Sequence, residues 1–235
     1  MTADPPYAVL VFSRTAGYRH DSIPDGLRAV GDLGRRHGFT VDTTEDGGAF
    51  TPAGLARYRA VVFLNTSGDV LDDARRAAFE SYVRGGGGFA GIHSAADTEY
   101  GWPFYGELVG ARFRCHPEPQ EAVVRVEDRS HPSTAHLEPV WRRYDEWYDY
   151  RTNPRPGVRV LMSLDEASYS GGGMDDHPIA WCHDHLGGRS WYTGGGHTRE
   201  SYADPAFRAH LLGGIRYAAG VAADPAPRPT TAPVP

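Results

Sequence analysis

The chain has 235 residues, 40% of them hydrophobic, with 29 glycines and 18 prolines, which describes a loop-rich globular protein able to bury a substantial core. All 24 basic residues are arginine, so a Schiff-base lysine, a pyridoxal phosphate anchor and a P-loop lysine are excluded. The formal net charge of −6, without any basic run, argues against nucleic acid, whose binding is driven largely by phosphate neutralisation.

Residues 7–12 are an apolar run and read as a buried first strand. Ser22-Ile23-Pro24-Asp25 then opens a helix with a cap-like serine, a first-turn proline and an acidic residue. Ile23, Leu27, Val30 and Leu33 lie at helical spacing and face the sheet, and Gly38 ends the helix. Strands follow at 39–43, 60–64 and 88–92, with a second helix over 72–84. This alternation implies a parallel sheet with right-handed crossovers. After Trp102 the pattern changes. Residues 120–127 alternate as a half-exposed strand, 158–164 form another, and 177–183 with 189–193 make a hairpin around Leu186-Gly187-Gly188. The later half is therefore expected to extend the sheet with antiparallel strands. Residues 203–219 close the fold as a helix with Phe207, Leu211, Leu212 and Ile215 on its apolar face. The expected division is one α/β domain over 5–220 and a disordered, proline-rich tail over 221–235. Cys115 and Cys182 make no disulfide framework, no apolar run reaches the roughly 20 residues of a membrane span, and the opening residues lack a signal-peptide pattern. A cytoplasmic protein without membrane contact is expected; homo-oligomer formation stays open.

In an open parallel sheet, ligands gather at the carboxyl ends of the strands, so the loops 13–20, 65–68 and 93–99 should converge. They carry His20 and His93 as candidate catalytic residues, and Arg14, Tyr18, Asn65 and Ser94 as candidate substrate-binding residues. Gly91-Ile92-His93-Ser94-Ala95, just after the glycine run 85–88, has the spacing of a nucleophile elbow, a sharp turn that presents its central side chain at the top of the sheet. A histidine at that apex suits proton transfer or metal ligation rather than acyl-enzyme formation. If the elbow leads into a helix, Asp97 can orient the imidazole across one turn, or simply complement the helix start. His20, beside Asp21, is either part of the site or a neighbour of the first helix cap.

Four ordered motifs, VFSRTAGYRHDSI (11–23), GFAGIHSA (88–95), HPIAW (177–181) and GRSWYTGGGHT (188–198), together resemble the ThuA-like, trehalose-utilisation family over most of residues 7–219. The resemblance implies a flavodoxin-like sheet with helices on both faces, related to class I glutamine amidotransferases. Their elbow carries a cysteine where this chain has His93, so glutaminase activity is not expected. It also implies a role in disaccharide or 3-keto-sugar metabolism. A ketone at C3 of a hexose acidifies the proton on C2, so a base can remove it and expel the C1 substituent without an oxocarbenium ion. Such chemistry needs a base, an enolate stabiliser and an acid. His197 belongs to the last motif and follows three glycines, where backbone can approach a ligand closely. His131-Pro132 resembles a further family position and otherwise reads as a turn. The segment 145–150 mixes carboxylates with aromatic rings, which suits sugar binding through Glu146 and Tyr148, or else covers the core edge as an exposed acidic loop. Cys182-His183-Asp184-His185 reads as a solvated turn rather than a metal cluster, and His116 stays open.

Three readings follow. The first is an enzyme acting on a glycoside or 3-keto-sugar by elimination, hydration or isomerisation, with His93, His20, His197 and Asp97 as its catalytic groups. The second is a metal-dependent hydrolase in which His20, His93, His197 and Glu146 hold zinc or manganese. The third is a noncatalytic sugar-binding or regulatory protein with an amidotransferase-like fold.

Overall fold

The structure, a computed structural model, describes residues 6–221; the tail expected at 221–235 lies, beyond Val221, outside them. In chain order the elements are β1 (Ala8–Phe12), α1 (Ile23–His37), β2 (Thr40–Thr44), α2 (Pro52–Leu55), β3 (Ala60–Leu64), α3 (Asp73–Arg84), β4 (Gly88–Ile92), α4 (Pro103–Val109), β5 (Phe113–Cys115), β6 (Gln120–Val126), β7 (Val140–Asp145), β8 (Asp149–Tyr150), β9 (Arg159–Asp165), β10 (Pro178–His183), β11 (Ser190–Thr193), α5 (Arg199–Ala203) and α6 (Pro205–Ala218). Nine strands form one sheet in the order β2-β1-β3-β4-β11-β10-β9-β6-β7, and β5 pairs with β8 apart from it. The first five are mutually parallel. The next four are joined by antiparallel ladders. The sheet is thus parallel in its first half with antiparallel strands from the C-terminal half, as the alternation and the later hairpin pattern require.

Four antiparallel steps separate β11 from β7, an even number, so β7 runs the same way as β1, β3, β4 and β11. The segments that follow these five strands all leave from one edge of the sheet. That edge gathers the site.

Both faces are covered. On β4 a Cβ at Gly88 would meet the Ala218 carbonyl of α6 at 2.0 Å, while the next residue, Phe89, packs its ring on Phe79 of α3 and Tyr105 of α4. Successive side chains of a strand point to opposite faces, so α6 lies on one side and α3 with α4 on the other. Phe12, Phe50, Phe63, Phe79 and Phe89 form a fully buried aromatic knot beneath the second face. Each such ring contributes about 1.5–3 kcal/mol of burial. No helix among the described residues is long and apolar enough to cross a membrane.

Several local readings change. Ser22 makes no side-chain cap on α1; its hydroxyl instead donates to the Gly196 carbonyl, a tertiary contact that outcompetes the local one. Gly38 does end α1, in the left-handed conformation with φ 78°. The closing helix is α6, which starts where the Asp204 carboxylate accepts from the Ala206 N–H, and the short α5 before it was not expected. The short α2 and α4 and the strands β5, β7 and β8 have no counterpart among the expected elements. The elbow leads into a 3-10 turn over His93–Asp97 rather than an α-helix.

His131 and His210 are buried near the opposite edge of the sheet. His131 packs on Tyr217, and the His210 Nδ1–H donates to the Ser133 carbonyl. Burial pushes both pKa values down to about 3. The unfolded chain takes up these protons near pH 6.5 and the folded chain does not, so folding stability is full above that pH and is lost as pH falls toward 3, by up to about 1.4 kcal/mol per pH unit for each ring. Thermal melts between pH 7.5 and 4.5 should show a falling Tm, and the double variant His131→Gln, His210→Gln should show a flatter decline; an unchanged slope would contradict the assignment.

Candidate functional site

His93 stands at the end of β4 with φ 50°, in the left-handed region. A non-glycine residue there is strained by about 1–3 kcal/mol, the cost of a turn tight enough to project the side chain over the sheet edge. The ring is fully buried. Its Nδ1 donates to the Gly194 carbonyl at 2.8 Å, so the acceptor orienting the imidazole comes from the glycine run after β11. Asp97 instead accepts from the Tyr100 hydroxyl at 2.7 Å, and burial raises its pKa. A 3-10 turn does not place residue i+4 over residue i as an α-helix would.

Three more side chains meet His93. His20 comes from the loop after β1, His197 from the loop after β11, and Glu146 follows β7. One donor atom from each of the four lies within 4.8 Å of the others. Glu146 Oε2 is 3.3 Å from His93 Nε2 and 3.1 Å from His197 Nδ1. Neither nitrogen is aligned for a hydrogen bond, although both are shut off from solvent. The His20 ring is 4.8 Å from that of His93 and 5.0 Å from that of His197, and its Nδ1 lies 3.3 Å from Ser94 Oγ. Glu146 Oε1 faces His116 Nδ1 at 3.2 Å, so the structure settles where that open residue goes.

The charges follow from this crowding. Burial, then the neighbouring rings of His93 and His197, push the His20 pKa down to about 2, which keeps the ring neutral. Burial works to raise the Glu146 pKa, but its contacts with His197 and His93 outweigh that and hold the carboxyl well below the usual range. Burial works to lower the His197 pKa, and the Glu146 carboxylate overrides it and raises it.

Around the cluster, the buried Tyr148 lays its ring 4.2 Å from His93. Tyr18 is 66% exposed and meets the His20 ring edge-on at 4.8 Å, an aromatic surface open to a ligand beside a buried donor. Asn65 is fully buried and structural in its contacts: its Nδ2 donates to Ser22 Oγ and to the Gly196 carbonyl, and its Oδ1 accepts from Tyr202. Arg14 is exposed, its guanidinium beside Gly47. His131 is not brought to this site; it follows β6, which runs the other way and ends at the opposite edge. His183 and His185 lie there too, stacked at 4.1 Å, beside a cavity of about 430 Å³. The His183 Nε2–H is committed to the Leu108 carbonyl, and Asp184 lines that cavity beside the two rings.

One organising residue has no place among the sequence candidates. Asp145 is fully buried. Its Oδ1 accepts from the backbone N–H groups of Glu146 and His197, and its Oδ2 from the Gly196 N–H, the Ser201 hydroxyl and Arg143. Arg143 and Asp145 alternate on one face of β7, a spacing visible in sequence had β7 been recognised as a strand. Removing one member of a buried pair strands the other charge at about 3–5 kcal/mol. Asp145→Asn, which keeps the shape and removes the charge, should lower denaturant-measured stability by about 3 kcal/mol; a loss under about 1 kcal/mol would show that these five donors do not converge on a charge.

The pattern of the ThuA family, described as trehalose utilisation, matches residues 8–218. A ThuA-like protein from Bacteroides uniformis has 27% sequence identity and TM-score 0.79, covering 93% of this chain and 93% of that one. A second, from Parabacteroides merdae, has 21% identity and TM-score 0.78 over 95% and 94%. The glutaminase domain of CTPS from Trypanosoma brucei shares the fold alone, at 10% identity and TM-score 0.52 over 92% and 96%. No curated protein matches the sequence. The fold, the elbow and the family match over 8–218 agree, and the chain belongs to the ThuA, trehalose-utilisation family, which gives it a carbohydrate-related role.

Proposed function

We propose that this protein is an enzyme acting on a glycoside or a 3-keto-sugar, with His20, His93, His197 and Glu146 as the reacting centre and a divalent ion, zinc or manganese, held among them. One observation carries the reading. His93 Nδ1 is committed to the Gly194 carbonyl, and its Nε2, buried and without a hydrogen bond, faces the Glu146 carboxylate at 3.3 Å. A divalent ion among these donors would satisfy the Glu146 carboxylate and the buried His93 and His197 nitrogens together. Three imidazoles and one carboxylate fit zinc or manganese by donor type. When bound, such an ion supplies Lewis-acid stabilisation to a carbonyl or enolate oxygen.

The chain's own groups do the rest. The Gly194 carbonyl fixes the His93 ring, and burial keeps His20 neutral with a lone pair to offer. His197, the least buried of the four at 23% side-chain exposure, stands nearest to solvent among the residues that would hold the ion. Tyr148 covers one flank of His93 and excludes water there. Tyr18, exposed beside His20, offers an aromatic face for the apolar side of a pyranose ring.

The test is to incubate the protein, with and without chelator, with glucosides and their 3-keto derivatives, and to follow the products by mass spectrometry. Turnover that chelator removes and zinc or manganese restores is the expected result. Stabilisation of the protein by a sugar, with no product from any of them, would favour a noncatalytic sugar-binding protein instead. Glu146→Gln and His93→Gln should each lower kcat/KM by roughly 100-fold or more with Tm shifted by only a few degrees; wild-type turnover in either variant refutes the assignment.

A further inference from the structure

A second knot of titratable groups sits at the same edge of the sheet, where Asp149, Glu166 and His177 each bring one donor atom within 4.8 Å of the others. Its hydrogen bonds make it a strut rather than a second metal site. The His177 Nε2–H donates to the Tyr148 carbonyl at 2.9 Å, and Nδ1 meets Glu166 Oε1 at 2.8 Å and the Tyr169 hydroxyl at 3.0 Å. Both ring nitrogens are committed. Arg114 lies 2.7 Å from Asp149 Oδ2, a positive charge where a metal ion would have to approach. Glu166 is itself pinned, accepting from the N–H groups of Met174 and Asp175.

The other end of this strut is the residue that lies against His93. The Tyr148 ring is 4.2 Å from His93 on one side and 4.2 Å from Phe113 on the other, and the residue is only 3% exposed. A ring clamped between two others is placed by where its own backbone is held, and the described hydrogen bond on the Tyr148 carbonyl comes from His177. We propose that Glu166 and His177 are positioning residues, which hold Tyr148 against the face of the His93 ring and so fix that flank of the His/Glu cluster. The inference rests on reading that cluster as the reacting centre. Groups outside the donor set commonly act this way, orienting the side chains that touch the ion or substrate.

The experiment uses the full chain labelled with ¹³C at its histidine rings. The His93 resonance is identified by its loss in His93→Gln. Tyr148→Leu removes the aromatic ring above His93 and should move that resonance, whereas Tyr148→Phe should leave it close to the wild-type position. His177→Gln and Glu166→Gln should move it in the same direction as Tyr148→Leu, and neither should add to Tyr148→Leu in a double variant. Glu166→Gln, on the more exposed residue, serves if His177→Gln fails to fold. Zinc titration by calorimetry is the second readout, with about tenfold weaker affinity expected in either variant. A His93 resonance unmoved in both variants, with only a lower Tm, overturns the proposal, and so does a second equivalent of zinc that His177→Gln abolishes. If the wild-type chain takes up no zinc, the metal reading of the cluster falls, and the resonance still decides whether Glu166 and His177 position Tyr148.

Discussion

A carboxylate cut off from water must collect donors, and Asp145 collects them from a segment 51 and 52 residues away in the chain, at Gly196 and His197. Leaving such a charge uncompensated in the interior costs several kcal/mol. The bonds that offset this cost are made with the backbone of Glu146 on one side and of His197 on the other. Holding the charge and aligning two members of the cluster are therefore the same act. Arg143, 8% exposed on its side chain, completes the pair and packs over Trp141 and Phe207, which ties the alignment to the core beneath α6.

The glycine run after β11 is the second hub. The Gly194 carbonyl orients His93, and the Gly196 carbonyl receives both Ser22 and Asn65. Side chains are excluded here for physical reasons: Gly196 has φ 112°, and a Cβ on it would come within 2.8 Å of the Tyr202 hydroxyl. One turn of backbone thus supplies acceptors to residues from the ends of β1, β3 and β4.

The buried histidines differ in what faces their nitrogens. His131, His183 and His210 spend nitrogens on near neighbours or on carbonyls around α4 and α6. All five leave one buried nitrogen without a hydrogen bond, and those of His93 and His197 lie within 3.3 Å of one carboxylate, Glu146. Histidine content alone does not distinguish these uses. A ring's chemistry depends on what faces each nitrogen, and that is decided by segments far apart in sequence.

Much of the fold was legible because its signals are local. Apolar runs specify β1 and β3, another after the glycine run 85–88 specifies β4, helical spacing specifies α1 and α3, and the elbow is written in Gly91 to Ala95. His20, His93, His197 and Glu146 could be picked out, the first two from loop position and the others from motif or residue type. What stayed hidden is non-local. β7 reads as polar sequence because alternate residues face solvent and Arg143 and Asp145 are buried only as a pair. Asp97 looked like the partner of His93 because chain proximity is all a sequence offers, yet a carbonyl 101 residues away holds the ring. The sequence by itself determined the parallel half of the sheet and the edge on which the His/Glu cluster lies, since both follow from short-range periodicity. Only the tertiary structure decided which donors converge and what orients them, because those contacts are made between the ends of strands that the chain order keeps apart.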